Sequence, residues 1–327
     1  MSIYNNKKIL VTGGTGMIGK PLVEMLIEQG AKVRIASLDH PDRAHVQAEY
    51  QRVDLMDFNN CLKACQGMDY VFHLVGIKCS PAITSKRAAT ILVSFLRFNT
   101  NMMEAARQAG VERYLYTSTI GVYPPAEVFY EDDVWKGSPS RKDWYGGWAK
   151  RIGELQAEAY QVEYDWDKIA VVRPANVYGP YDNFDPDNAM VIPSLIKRAL
   201  DGEDPFVVWG DGSAIRDFIH ARDVAQGMMF ALEKCPGYAL NLGSGTGYSI
   251  KELVEIVVNN LEKKPKVVWD ISKPSGDKKR LMDISKAKAL GWQPKISLEQ
   301  GIKEVIEWYK KNKDVVNKRY NVFTNGK

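Results

Sequence analysis

Two periodicities alternate over the first two-thirds of the chain. Short apolar runs of strand length occur at Lys8–Thr12, Lys32–Ala36, Tyr70–Val75, Arg113–Thr117 and Ile169–Arg173. Between them, at Pro21–Gln29, Phe58–Cys65, Asn99–Gln108 and Trp148–Val162, apolar residues recur every three to four positions. Near-continuous apolar strands alternating with amphipathic helices build a parallel sheet covered on both faces, so the pattern predicts a doubly wound α/β fold. After Pro174 the texture changes to loops rich in proline, glycine and aspartate with shorter elements between them. The strand and helix around Phe218–Glu233 are expected to return to the large sheet. The division that follows is residues 1–176 plus about 218–240 for one domain, and about 177–217 plus 241–327 for a smaller C-terminal lobe.

The first strand runs directly into Gly13, Gly16 and Gly19, with Met17 and Ile18 inside the turn, and then into a helix. Gly13 permits the tight turn, Gly16 removes a side chain from the path of a phosphate, and Gly19 lets the helix approach the sheet. The helix N-terminus then offers free N–H groups and a partial positive charge to an anion. This is the Rossmann-type arrangement for a dinucleotide pyrophosphate.

Composition narrows the setting. The 327 residues carry 44 basic and 40 acidic side chains, a net charge of +4, and the two signs are interleaved, so no nucleic-acid face is implied. No apolar run reaches the roughly 18–20 residues that cross a bilayer, no targeting segment is evident, and the expectation is a cytoplasmic protein. The stretch from Trp308 onward reads as a solvated, frayed tail. Cys61, Cys65, Cys79 and Cys235 are expected to be free thiols, and four histidines form no metal-like cluster.

Further motifs follow in fixed order: Asp54-Leu55, His73-Leu74-Val75-Gly76, Thr117-Ser118-Thr119 leading to Val122-Tyr123, Lys150 with Gly153-Glu154, and Arg173 to Pro180 (RPANVYGP). Trp209-Gly210-Asp211-Gly212, Arg216 to His220 (RDFIH) and Leu290-Gly291-Trp292 complete the series. The whole set resembles the extended short-chain dehydrogenase/reductase family, the nucleotide-sugar epimerases and dehydratases. Within it, the stretch from Asn176 to Ala199 looks most like that of GDP-fucose synthases and related GDP-sugar enzymes.

The resemblance implies a hydroxyl at Thr119 that holds the reacting sugar oxygen, Lys150 beside the nicotinamide ribose, and a tyrosine base one helical turn before that lysine. The residue four positions before Lys150 is Gly146, and Tyr145 lies five away. Five positions on an ideal helix are about 140° past a full turn, so Tyr145 and Lys150 would not share a face. Either an irregular helix start at Gly146-Gly147 brings Tyr145 into the site, or another group or water takes the proton. The resemblance also implies Asn176 near the substrate diphosphate with Arg216 and Arg280 as charge partners, one of Lys197 and Arg198 toward the base, and a homodimer. Leu74, Val75, Gly76, Asp54 and Leu55 would line the dinucleotide site, and the loop Ile77–Thr90 would cover its nicotinamide side.

Cofactor choice rests on the end of the second strand. Ser37 takes the position where an acid favours NAD, Asp39 follows it, and Arg43 could accept the 2′-phosphate of NADP. An inward Asp39 would repel that phosphate, so NAD is expected, with NADP as the alternative. The resemblance implies acidic residues directly after the hydroxyl residue in the dehydratases, so Ile120 and Gly121 after Thr119 argue against dehydration; Gly121 and Met190, where fucose synthases carry a cysteine and a histidine, argue against epimerisation at C3 or C5. Hydride transfer at C4 remains, as a 4-epimerase or a 4-dehydrogenase. A further reading is a sensor or scaffold that binds dinucleotide without turnover, and another is a fucose-synthase-like epimerase/reductase.

Overall fold

The computed structural model describes residues 2–77, 84, 86–186, 188–273, 276–314 and 320. Its strands are β1 (Lys8–Thr12), β2 (Lys32–Ser37), β3 (Glu49–Arg52), β4 (Tyr70–His73), β5 (Arg113–Thr117), β6 (Val128–Phe129), β7 (Ile169–Pro174), β8 (Asn176–Tyr178), β9 (Phe206–Trp209), β10 (Ile215–His220), β11 (Ala239–Leu242), β12 (Gly247–Ser249), β13 (Val267–Asp270) and β14 (Lys279–Met282). The helices are α1 (Gly19–Glu28), α2 (Phe58–Cys65), α3 (Ala88–Gln108), α4 (Trp144–Tyr164), α5 (Val191–Leu200), α6 (Ala221–Lys234), α7 (Ile250–Asn259), α8 (Ser285–Ala289) and α9 (Leu298–Asn312).

Seven parallel strands form the large sheet in the order β11-β7-β5-β4-β1-β2-β3. The chain moves outward from β1 through β2 to β3 and then returns to β4 on the other side of β1. That reversal opens a crevice at the carboxyl ends of β1 and β4, where ligands of such sheets bind. Strand residues alternate between two cores, as the two-residue period requires. Ile9, Val11 and Phe72 pack with Leu22, Val23 and Leu26 of α1 and with Val224 and Met228 of α6. Leu10 and Val71 pack on the other face with Cys61 of α2, Phe95, Phe98 and Met102 of α3, and Ala149 of α4.

A second sheet runs β12-β10-β14-β6 with β8 beside β10, and β9 pairs with β13. Asp217 of β10 ties the elements around this sheet together: it is fully buried, accepting from the Ser244 backbone (2.8 Å) and hydroxyl (2.7 Å) and from the Met282 backbone (3.2 Å). A third core joins Phe184, Ile192 and Ile196 to Val257, Ile302 and Val305.

Two expectations are corrected here. Phe218 lies in β10, at the centre of the second sheet; of that strand and the helix after it, only the helix, α6, packs on the large sheet, and β11 is the strand that returns, pairing with β7. The tail from Trp308 is not frayed at its start, because α9 runs to Asn312 and Tyr309 is buried against Phe184. Ser297 and Gln300 close a capping box at the front of that helix, a signal present in the sequence. Cys61, Cys65 and Cys235 are free and buried; Cys79 lies outside the described residues.

Candidate functional site

One cavity of about 880 Å³ follows the crevice from the glycine turn to the second sheet. At its floor Gly13 adopts φ +70°, and a Cβ on Gly19 would stand 2.2 Å from the Gly13 carbonyl, so the turn requires glycine at both places. Like α3, α4, α5 and α8, α1 has no side-chain cap. Gly16, Met17, Ile18 and Gly19 at its start line the cavity, where the positive end of a helix suits an anion.

At the outer end, Ser37, Asp39, Asp54 and Leu55 all line the cavity. Asp39 is buried and turned inward: its carboxylate accepts from the Thr15 hydroxyl (2.7 Å) and the Tyr320 backbone (2.7 Å), and Arg43 lies 3.5 Å away. Arg43 is thus drawn to Asp39 and is not among the residues lining the cavity. Leu74, Val75 and Gly76 also line it, with the Leu74–Val75 backbone directly against Gly13. Ile77 lines it too, while residues 78–83 and 85 of the expected covering loop lie outside the described residues.

Lys150 reaches the middle of the cavity from α4. Its Nζ donates to the Thr117 carbonyl (2.7 Å) and to Asn99 Oδ1 (3.5 Å), and burial pulls its pKa down to about 7 against a smaller opposing effect of Glu154. Asn99 also meets His73 Nε2 (3.1 Å), while His73 Nδ1 meets the Thr12 hydroxyl (2.9 Å). Burial, then the Lys150 charge, lowers the His73 pKa to about 3, so His73 is a neutral fixture holding Asn99. Thr119 lines the cavity with its hydroxyl accepting from the Gly121 backbone (3.2 Å).

Tyr145 does not line the cavity. It is 40% exposed on a helix that begins regularly at Trp144, so the irregular start that would swing it inward does not occur. At Gly146 a Cβ would meet nothing within 4 Å: the tyrosine's ordinary position is open space.

At the far end, Asn176, Arg216 and Arg280 share the cavity. Asn176 donates to the Asp217 carbonyl (2.9 Å), and Arg216 donates to the Asp277 carbonyl (2.7 Å). Arg280 pairs with Asp143 (2.8 Å) and lies 3.8 Å from Asp277, which also binds Lys142 (2.5 Å). Neither Lys197 nor Arg198 reaches the cavity; they pair with Asp201 and Glu203. The residues that sequence reasoning missed are Thr15, Asn99, Lys142, Asp143, Asp277 and Tyr320. Asp143 stands directly before the helix that carries Lys150, which was a usable signal; Tyr320 gave none.

The family described as "NAD dependent epimerase/dehydratase family" matches residues 9–243. GDP-L-fucose synthase 1 of Arabidopsis thaliana is 32% identical over 314 residues, covering 93% of this chain and 94% of that protein. A dTDP-4-dehydro-6-deoxy-D-allose reductase of Streptomyces bikiniensis is 30% identical, covering 94% and 97%. Among solved structures, the UDP-glucose 4-epimerase of Thermotoga maritima with UDP-glucose superposes with a TM-score of 0.82 at 28% identity, covering 94% and 100%.

Proposed function

The chain belongs to the NAD-dependent epimerase/dehydratase family, and on that premise we propose that it transfers hydride between NAD(P) and C4 of a nucleotide sugar, with a GDP-sugar as the first choice of substrate. The observation that supports this reading is one cavity lined by the glycine turn before α1, by Thr119 and Lys150, and by Arg216 and Arg280. The dinucleotide, when bound, supplies or accepts the hydride. The chain's own residues do the rest: the glycine turn and α1 hold a pyrophosphate, Thr119 orients the sugar oxygen, and Arg216 and Arg280 offer planar forks to a second diphosphate. Asp143 and Asp277 keep those guanidiniums in place.

The inward Asp39 supports NAD over NADP, because its carboxylate suits ribose hydroxyls and repels a 2′-phosphate. Exposed Ile152 and Leu155 on α4 and Val93 on the neighbouring α3 support a homodimer through these two helices. Residues 177–217 and most of the chain after 241 are assigned to the nucleotide-sugar lobe. Among the described residues no helix is long and apolar enough to cross a membrane, which accords with a cytoplasmic enzyme.

The sensor reading draws on one observation, the absence of Tyr145 from the cavity. The arginine pair weighs against it, since a protein that reads dinucleotide alone has no use for cations at the far end. To decide, the protein is denatured, the released dinucleotide is identified by mass and absorbance, and the step is repeated after incubation with GDP-, UDP- and dTDP-sugars. Reduced dinucleotide accumulating with one sugar supports the proposal. Oxidised dinucleotide unchanged by every sugar, and reduced dinucleotide unchanged by their 4-keto forms, contradicts it.

A further inference from the structure

The function proposed above needs a group that takes the proton of the sugar hydroxyl, and the tyrosine that would ordinarily do so is missing from the cavity. Tyr145 is exposed and is not among the cavity's lining residues, and a Cβ at Gly146 would meet nothing within 4 Å. Resting on that reading, we propose that Lys150 is itself the proton acceptor and donor of the reaction, rather than the helper of a tyrosine.

The geometry around Nζ fits a neutral amine. Such an amine has two N–H bonds and one lone pair. Two fixed acceptors, the Thr117 carbonyl and Asn99 Oδ1, take the two N–H bonds, and the lone pair is left for the cavity. In the protonated form a third N–H points the same way, ready to return a proton to a sugar oxygen.

Among the described residues no carboxylate pairs with Nζ. Glu154, one turn along α4, is committed to Arg173 at 2.7 Å. His73 from β4 is neutral, and the rings of Phe95 on α3 and Tyr116 on β5 lie 5.1 and 5.0 Å from Nζ. Lys142 and Asp143 share the cavity but are bound to Asp277 and Arg280. Burial outweighs the opposing charge of Glu154 and brings the amine close to neutral pH, where a general base works best.

The step balances. In the oxidative direction the C4–H bond breaks and its hydride passes to the oxidised dinucleotide. The hydroxyl O–H bond breaks, the proton joins Lys150 Nζ, and the C–O bond becomes a carbonyl. Reduction runs the same events backwards.

Two readouts test this. The first needs no substrate: ¹⁵N-lysine-labelled protein is titrated by NMR, with the Lys150 signal assigned by its loss in Lys150→Met. A midpoint within about one unit of 7 is expected; a midpoint above about 9.5 overturns the proposal. The second uses the sugar nucleotide that reduces the dinucleotide in the wild type. Lys150→Met should lower kcat by roughly 100- to 10,000-fold, with part of the rate restored by added methylamine in proportion to its free base. Tyr145→Phe should leave both rate and pH profile unchanged, and Asp143→Asn should keep the midpoint whatever it does to KM.

A profile abolished by Tyr145→Phe or by Asp143→Asn overturns the proposal. So does a Lys150→Met variant that keeps its kcat, or one that amines do not rescue although it still binds dinucleotide. A Lys150 midpoint near 7 in a protein inert toward every sugar nucleotide overturns the function reading instead, which separates the two failures.

Discussion

Two buried cations meet α4, Lys150 on the helix itself and Arg173 of β7 through Glu154 one turn along it, and they are built in opposite ways. Arg173 is closed: it forms two hydrogen bonds to Glu154 (3.0 and 2.7 Å), one to the Tyr123 hydroxyl (2.9 Å) and one to the Glu131 carbonyl (2.8 Å). Burial opposes its charge, yet Glu154 and then Tyr123 hold its pKa above the ordinary guanidinium value. Lys150 is open, with one short bond to a carbonyl, one long bond to an amide and, among the described residues, no ion pair. A closed charge fixes β7 against α4 and can do no chemistry. An open one costs stability and remains free to exchange a proton.

The largest test of this contrast is Lys150→Met, expected to lower turnover by roughly 100- to 10,000-fold while making the protein more stable. The sign follows from linkage. The folded lysine titrates near 7 and the unfolded one near its ordinary value, so between those limits the unfolded chain binds more protons and wild-type stability rises with pH. Below 7 the penalty is at its full size, and chemical denaturation there should show the greatest gain from Lys150→Met. No gain at pH 6 would contradict the open-charge account.

Arg173→Met should do the reverse, destabilising by about 3–5 kcal/mol because Glu154 is left buried and unpaired. Adding Glu154→Gln should recover much of that loss; denaturant midpoints for the two variants and their combination measure it.

Asp39 is an intermediate case, buried and bonded yet facing the cavity. Asp39→Ser should shift the ratio of NADP to NAD affinity upward by about tenfold, roughly 1.4 kcal/mol, read by titration with each dinucleotide. Tyr145 is the exposed control, and Tyr145→Phe should change turnover less than about threefold in a steady-state assay.

Much of this was legible in the sequence. The apolar runs located β1, β2, β4, β5 and β7, because a strand buried on both faces tolerates little but apolar residues. The glycine spacing located the turn, because only glycine fits at Gly13 and Gly19. Of the expected site residues, those tied to these rigid elements meet in the cavity, as do Asn176, Arg216 and Arg280 from the second sheet. The strand of Phe218 was misplaced because a short apolar run does not say which sheet it joins; the buried Asp217 beside it decides that through bonds to Ser244 and Met282. The pairing of Asp143 with Arg280 joins residues far apart in the chain, and no local pattern carries it.

The most direct test of hydride transfer at C4 follows an isotope. Reduced dinucleotide bearing transferable deuterium at nicotinamide C4 is incubated with the protein and GDP-, UDP- or dTDP-4-keto sugars, and the sugar product is examined by NMR. The account predicts deuterium at C4 of one sugar, in step with oxidation of the dinucleotide. Dinucleotide that stays reduced with every sugar, or that is oxidised without deuterium reaching any C4, would contradict it.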